Sequence, residues 1–270
     1  MRWSKILVTS LLMTFFILGF FRVTSILSAQ EPEDRKIRVL VFYGGHPFNM
    51  EDFKHNFDGA DNMEVYYAKL PEGRDMLAPG LEKQYDVLVM FDMDQVDPTP
   101  EQRKTLYDLL DKGIGYFAFH HNLCSVPEWD EYYDITGGKT FLNYFFEGKD
   151  HAMFRGQPYE FSTFQMLPIS FKVADKDHPI MNGVVDFDLN EEAYGKALVN
   201  PNVHVLLTSE SPGMTHEVAW TWHYNNSPVF GTFLGHDINM WSDENFHKMF
   251  LQAIKWLADQ TWEERAKLAQ

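Results

Sequence analysis

The chain has 270 residues, a formal net charge of −16 and a single cysteine. A surface this acidic repels nucleic acid phosphates and anionic lipids, so we expect a neutral or cationic ligand and no nucleic acid partner. One cysteine cannot form an intramolecular disulfide, so the fold must be stabilised by a hydrophobic core, for which the chain is long enough.

Residues 1–29 have the pattern of a secretory signal peptide. Two basic residues precede an uncharged apolar run over residues 6–21, and Ser28 and Ala29 are small enough for cleavage. An uncleaved membrane anchor is the alternative, and only through this segment do we expect contact with a membrane. Cleavage removes three positive charges and takes the formal charge from −16 to −19. We therefore predict an exported protein, periplasmic or extracellular, with a charged linker over residues 30–36.

Apolar runs and helical patterns then alternate along the chain. Residues 37–43, 85–92 and 115–121 are short, mainly apolar runs, which are typical of strands buried on both faces of a parallel sheet. Residues 99–113 and 244–259 have the apolar spacing and the end signals of amphipathic helices. This alternation predicts β-α-β units.

Two further apolar runs predict a β-hairpin. Residues 218–224 and 229–234 are joined by a short polar turn, so antiparallel strands should extend the sheet. The whole pattern predicts one α/β domain over residues 37–260, built on a doubly wound, mostly parallel sheet with added antiparallel strands. Residues 261–270 are predicted to be a polar tail.

Histidines follow three of the predicted strands at the point where each strand ends. Because the carboxyl ends of parallel strands meet at one edge of a sheet, we expect these histidines to face a single pocket. Two acidic residues from neighbouring segments should lie within reach of them. The predicted catalytic residues are His46, His120, His236, Glu192 and Asp237.

Two mechanisms fit these residues. In the first, His46, His120 and His236, with Glu192 or Asp237, hold a zinc-like divalent ion that polarises a carbonyl or activates water. In the second, no cofactor is bound, and the histidines exchange protons with the substrate. Ligands from different strands leave no spacing signature, so both mechanisms stay open.

Aromatic side chains near the histidines are candidates for binding a sugar, because flat apolar rings provide contact area at low entropic cost. The alternative interpretation is that these aromatics cover the sheet. The irregular segment over residues 141–168, rich in Phe, Tyr and Gly, is predicted to be a long excursion over the same edge. The predicted substrate-binding residues are His121, Trp129, Tyr194 and Trp241.

The order of these motifs along residues 37–259 resembles the trehalose-utilisation (ThuA-like) family, which has the class I glutamine amidotransferase-like, flavodoxin-related fold. The resemblance rests on Gly44-Gly45-His46, the strand ending in His120, Ser125 to Trp129 with Tyr132 and Gly137-Gly138, His178-Pro179-Ile180 with Gly183, Glu191 to Tyr194, and Gly235-His236-Asp237 with Trp241. It implies a role in the metabolism of trehalose and related disaccharides, beside sugar oxidoreductases that make keto-sugars.

Both mechanisms suit hydrolysis, elimination or isomerisation of an oxidised (keto) glycoside, and the resemblance adds disaccharides as substrates. Glutamine hydrolysis is not expected, because amidotransferases of this fold carry a nucleophilic cysteine at a turn where this chain has His120 and His121, and Cys124 lies several residues further on. The rival class is a non-catalytic carbohydrate-binding protein with the same fold. An enzyme is favoured because mere binding does not require several titratable groups at one edge.

Overall fold

The structure is a computed structural model that describes residues 35–269. The predicted signal peptide over residues 1–29 lies outside the described residues, as do residues 30–34 of the predicted linker and Gln270. In the described part of the chain, no helix is both long enough and apolar enough to cross a membrane.

Residues 35–269 contain thirteen strands and five α-helices. The strands are β1 (Ile37–Gly44), β2 (Met63–Lys69), β3 (Val87–Asp92), β4 (Gly115–Phe119), β5 (Gly138–Lys139), β6 (Ala152–Phe154), β7 (Gln157–Tyr159), β8 (Thr163–Val173), β9 (Phe187–Gly195), β10 (Leu198–Val199), β11 (His204–Ser209), β12 (Glu217–Tyr224) and β13 (Ser227–Thr232). The helices are α1 (Met50–Lys54), α2 (Pro100–Asp111), α3 (Tyr132–Thr136), α4 (Ile238–Trp241) and α5 (Glu244–Leu268).

Nine of these described strands form one sheet in the order β2-β1-β3-β4-β13-β12-β11-β8-β9. Neighbours from β2 to β13 are parallel, and the remaining neighbours are antiparallel. Every residue of β3 and β4 is buried, as expected for strands covered on both faces. The predicted α/β fold, with its parallel core and its β12–β13 hairpin, is confirmed. The antiparallel part is larger than predicted, because β9 also joins the sheet.

Helices cover both faces of the parallel strands. On one face α5 buries Phe246, Phe250 and Ile254 in a large aromatic and aliphatic core. On the other face α2 contributes Leu106 and Leu109 to a second core. Each such side chain contributes about 1.5–3 kcal/mol when it leaves water. The sheet lies between the two cores, and the loops that follow the parallel strands lie at its carboxyl edge.

The hairpin formed by β8 and β9 extends beyond the rest of the sheet. β8 pairs with β11 over residues 171–173, whereas β8 and β9 pair with each other over the whole length of β8 up to Phe171. β9 packs against α4, and Glu191 of β9 accepts a hydrogen bond from the loop that follows β13. These contacts bring β9 to the carboxyl edge of the parallel strands. The predicted irregular excursion over residues 141–168 is therefore corrected. It contains the β6–β7 hairpin, and its end belongs to β8.

The predicted polar tail over residues 261–270 is also wrong, because α5 continues to Leu268. Thr261 is completely buried, so the apolar face extends past the point where the sequence pattern fades. Arg265 then pairs with the buried carboxylate of Asp86, with its Nη1 atom 3.2 Å from Oδ1. The end of the helix is thus part of the packed domain.

Deleting residues 261–270 should lower the free energy of unfolding by about 2–4 kcal/mol, because charge-assisted hydrogen bonds to a buried group are worth about 1.5–3 kcal/mol each. Asp86 would keep Arg38 but lose Arg265. Urea denaturation measures the difference. A chain shortened only by residues 269–270 is the control, and equal midpoints for both truncations would contradict this account of the helix end.

Candidate functional site

A strained turn follows β4. Residues His120–Cys124 form a 3-10 turn, and His120 has a φ of 49°, in the left-handed region that residues other than glycine rarely adopt. Backbone strain of this kind persists only where the surroundings fix it, and it is concentrated at functional sites. The turn places His120 and His121 directly at the carboxyl edge of the sheet, as the sequence predicted.

The loop between β13 and α4 carries His236. Gly235 precedes it with a φ of 112°, and a Cβ atom at Gly235 would overlap the ring of Phe119. The loop therefore requires glycine at this position. The Oε1 atom of Glu191 accepts the backbone N–H groups of Gly235 at 3.2 Å and of His236 at 2.8 Å. The close contact with Phe119 and the hydrogen bonds to Glu191 together fix the position of His236.

Glu191 is a site residue that the sequence did not reveal. Its side chain is fully buried, and burial raises its pKa to about 8. The carboxyl group therefore carries a proton at neutral pH and holds the His236 loop without a counter-charge. Glu191 and Glu192 are consecutive on β9, so their side chains point to opposite faces. From this alternation the sequence could have indicated that only one of the two glutamates faces the histidines, while the other one holds the loop.

Glu192 and Tyr194 approach the histidines from the opposite face of β9. Residues two apart on a strand share a face, and the Tyr194 hydroxyl donates to Glu192 Oε2 at 2.6 Å. The same hydroxyl lies 3.5 Å from His120 Nε2. The carboxylate and the phenol thus meet the end of β4, although the strands concerned are far apart in the sheet.

Four side chains, His120, His121, Glu192 and His236, form what we call the His/Glu group. His120 Nε2 is 3.3 Å from His236 Nδ1, and Glu192 Oε2 is 3.5 Å from each of those atoms. His121 Nε2 lies 3.9 Å from the same oxygen. One ligand atom from each residue falls within 4.8 Å of the others.

These separations match the ligand spacing of a metal centre and are long for hydrogen bonds. Hydrogen bonds to nitrogen have lengths of about 2.7–3.2 Å, shorter than all four distances. Ligand atoms bound at about 2.0–2.2 Å around a tetrahedral ion lie about 3.4 Å from one another. His120 Nε2, His236 Nδ1 and Glu192 Oε2 form a nearly equilateral triangle with that spacing. The residues present therefore fit a divalent transition ion.

Outer contacts orient two of these side chains. His120 Nδ1 lies 2.6 Å from the backbone carbonyl oxygen of Phe233, so this nitrogen is the donor and Nε2 directs its lone pair at the group. Tyr194 similarly fixes the Glu192 carboxylate. Metal-binding histidines usually donate their other ring N–H to a carbonyl or a carboxylate, which sets the tautomer.

The protonation states suit ligation. Burial lowers the pKa of His120 and, with the nearby His120 charge, lowers that of His121 well below its usual range. Burial opposes ionisation of Glu192, but hydrogen bonds from His120 and His236 outweigh it and hold the pKa of Glu192 far below its usual range. The hydrogen bond to Glu192 raises the pKa of His236. Neutral His120 and His121 and the carboxylate of Glu192 are thus ready to bind an ion, whereas His236 would have to release its proton first.

His46 lies at the rim of the His/Glu group. Its ring stacks on that of His121 with centroids 4.1 Å apart and is 5.8 Å from that of His236. The predicted convergence of His46, His120 and His236 is thus observed. The four residues whose ligand atoms converge include the predicted His120, His236 and Glu192; His121 joins them, and His46 and Asp237 are not among them. The half-buried position of His46 leaves it free to face a substrate.

Three predicted site residues lie elsewhere. Asp237 caps α4, and both of its carboxylate oxygens accept hydrogen bonds from Asn239. Trp241 is 3% exposed, packs among core aromatics, and donates its indole N–H to Gly235. Trp129 is 2% exposed and packs against Tyr132. Neither tryptophan offers a free face to a sugar, because helix and turn formation direct both rings into the cores.

Cys124 has the properties of an inert core thiol. It is completely buried, accepts a hydrogen bond from the Thr140 hydroxyl, and burial raises its pKa to about 12. Nucleophilic cysteines are thiolates with lowered pKa values in accessible sites. The strained turn after β4 places His120 and His121 in the His/Glu group, whereas Cys124 is enclosed in the core.

Cys124→Ser should therefore keep activity and metal content within about twofold of the wild-type values, since a buried thiol contributes mainly packing. Turnover and metal content of the purified variant measure this. A complete loss of turnover, with circular dichroism and bound metal unchanged, would show that the thiol takes part in covalent catalysis.

The fold and the site together define a class: an α/β protein of class I glutamine amidotransferase-like architecture with histidines at the turn after β4. The family model described as "ThuA: Trehalose utilisation" matches residues 38–257. The chain belongs to this ThuA family, which confirms the resemblance drawn from the motifs and places the protein in the context of carbohydrate utilisation.

Solved structures share this fold at low sequence identity. A ThuA-like protein from Parabacteroides merdae has a TM-score of 0.67 and 17% identity, and the match covers 83% of this chain and 90% of the P. merdae chain. A ThuA-like protein from Bacteroides uniformis has a TM-score of 0.60 and 14% identity, covering 85% and 94%. PurLQS from Thermotoga maritima has a TM-score of 0.53 and 12% identity, covering 82% and 99%. No curated protein matches the sequence.

Proposed function

We propose that the protein is an exported carbohydrate-active enzyme that holds a divalent transition ion in the His/Glu group and acts on an oxidised, keto-bearing glycoside. The observation that carries this proposal is the triangle of ligand atoms from His120, His236 and Glu192, with sides of 3.3, 3.5 and 3.5 Å. Membership of the trehalose utilisation family supports a disaccharide or a related glycoside as the substrate.

The choice of a metal over a purely protonic site rests on the donor atoms. A buried carboxylate needs a compensating positive charge, and either a protonated His236, whose pKa is raised beside Glu192, or a bound ion would supply it. A divalent ion would take the place of that proton and would use lone pairs that the neutral His120 and His121 already direct inward. Two or three imidazoles and one carboxylate suit zinc and similar ions.

A bound ion of this kind supplies Lewis acidity to a ketone oxygen. Proton removal would then be the task of a residue of the chain. His46 lies at the rim, and burial together with the nearby His236 lowers its pKa, so its neutral imidazole is available as a general base. It would accept the proton from the carbon between the ketone and the glycosidic carbon.

Elimination completes the proposed reaction. The electron pair released by the removed proton forms a carbon–carbon double bond to the glycosidic carbon, and the bond from that carbon to the glycosidic oxygen breaks. The departing oxygen takes a proton and leaves as the free alcohol of the second sugar. Atoms and charges balance without an oxidant or a reductant, so a separate oxidation must supply the ketone.

The rival proposal, a carbohydrate-binding protein without activity, is weakened by the burial of the site. Placing three histidines and a carboxylate in a largely buried cluster costs free energy, and a binding site that needs only stacking and hydrogen bonds gains nothing from it.

Incubation with trehalose and with its mono-keto derivative, with and without zinc, manganese or cobalt, tests the proposal. We expect metal-dependent release of glucose from the keto-sugar alone. Mass spectrometry distinguishes elimination, which conserves total mass, from hydrolysis, which adds one water. Absence of turnover on both sugars with every ion would contradict the enzyme assignment.

His46→Ala should lower turnover by about 10²–10⁴-fold, the usual contribution of a general base, while metal content stays at the wild-type value. Steady-state kinetics and metal analysis on the same preparation check both parts. Loss of bound metal in this variant would make His46 a ligand and would remove it from the role of base.

A further inference from the structure

Three large apolar side chains are exposed next to the His/Glu group. Tyr144, Phe164 and Met166 expose 48%, 46% and 47% of their surfaces. The rings of Tyr144 and Phe164 meet edge to face with centroids 6.3 Å apart. Single exposed apolar residues need no explanation, whereas neighbouring ones beside a polar site mark a surface that binds something.

The pairing of β8 with β9 places two members of this surface on the face that carries the site. Phe164 is directly opposite Tyr194, and Met166 is directly opposite Glu192. Opposed residues of an antiparallel pair point to the same face with Cβ atoms about 4.5–5.5 Å apart. The apolar surface therefore begins one side chain away from the candidate ligand Glu192.

Tyr144 connects the surface to the carboxyl edge of the parallel strands. Its hydroxyl lies 3.8 Å from the Met93 sulfur, and Met93 directly follows β3. Partial burial raises the pKa of Tyr144, so the phenol stays neutral. The surface thus has an uncharged polar atom at its edge.

We propose that Tyr144, Phe164 and Met166 form a platform on which one pyranose ring of the substrate stacks while the other ring meets the His/Glu group. The proposal rests on the proposed function, whose substrate class it deepens. A pyranose has an apolar C–H face and a polar rim, which matches an aromatic surface with a hydroxyl at its edge. The acidic chain favours such a neutral ligand over an anionic one.

This platform replaces the one expected from the tryptophans. Trp129 and Trp241 are buried in the two cores, so the flat surfaces near the site come from β8 and from the loop before β6. A disaccharide that spans both regions would explain why the β8–β9 hairpin extends past the sheet. A monosaccharide would use only one of the two regions and should bind more weakly.

Isothermal titration of the full-length protein with trehalose and with mono-keto trehalose tests the platform. Tyr144→Ala and Phe164→Ala should each weaken binding about tenfold, because aromatic contacts are worth about 0.5–1.5 kcal/mol beyond the area they bury. Metal content should stay unchanged. Tyr66→Ala is the matched control: Tyr66 is an aromatic residue exposed to 48% on β2, at the opposite edge of the sheet, and its loss should leave binding unchanged.

Other outcomes separate this proposal from the proposed function. Turnover by the wild type with unchanged sugar affinity in both alanine variants would overturn the platform alone. Sugar binding that depends on Tyr144 and Phe164 without any turnover would overturn the enzyme and support the platform. Absence of sugar binding by the wild type would overturn the platform. A change of oligomeric state in the variants at unchanged sugar affinity would also overturn it, in favour of a self-association surface.

Discussion

Glu192→Gln is expected to lower metal affinity by more than about 100-fold and to abolish turnover, because loss of an outer-shell partner alone costs about 10–100-fold. Glutamine keeps the shape of the side chain and can still accept the Tyr194 hydroxyl. It removes the negative charge that three histidines share. The variant therefore isolates the anionic ligand from the packing of β9.

The matched control is Asp188→Asn, which removes a carboxylate from the same face of β9 at an exposed position away from the histidines. Metal affinity and turnover should be unchanged there. Competition with a chromogenic chelator measures the affinities of both variants. If Glu192→Gln bound metal with wild-type affinity, Glu192 would not be a metal ligand. The convergence of the four side chains would then not be explained by metal binding.

Gly235→Ala is the second change with a large expected effect. A methyl group there collides with the Phe119 ring, and the φ of 112° disfavours any L side chain. We expect the free energy of unfolding to fall by about 2–6 kcal/mol, from strain of about 1–3 kcal/mol and overpacking of similar size. Because the loop carries His236, metal affinity should also fall at least about tenfold.

Gly59→Ala separates backbone strain from collision. Gly59 also has a positive φ, 77°, but a methyl group there meets no atom within 4 Å. Its expected cost is therefore limited to about 1–3 kcal/mol of strain, with no change in metal affinity. Chemical denaturation and metal titration of the two variants compare them directly. Equal stability loss and equal metal affinity would show that Phe119 does not constrain the His236 loop.

The sequence predicted the parallel core well because its strands are buried on both faces. The continuous apolar runs of β3 and β4 have the length of typical strands. Asp92 ends β3, and His120 directly follows β4. Strand direction then brings His46, His120 and His236 to one edge without any knowledge of contacts. That inference depends on topology alone, and for this reason it needed no side-chain detail.

The residues around that edge were harder to predict because their orientation depends on packing. Trp241 follows His236 closely in sequence, yet the one-turn helix α4 directs its ring into the core. His121 is adjacent to His120, and the strained turn is what directs both rings to the same point. The pairing of β8 with β9 sets the positions of Glu192 and Phe164, and sequence patterns do not define strand register across a long connection.

Metal analysis of the purified wild-type protein tests the central claim most directly. After removal of loosely bound ions by dialysis, we predict about one divalent transition ion per chain by mass spectrometry of the elements. Stripping with a strong chelator should abolish turnover of the keto-sugar, and adding back the same ion should restore it. Full turnover by protein that contains no transition metal would contradict the account and would leave the histidines to proton transfer alone.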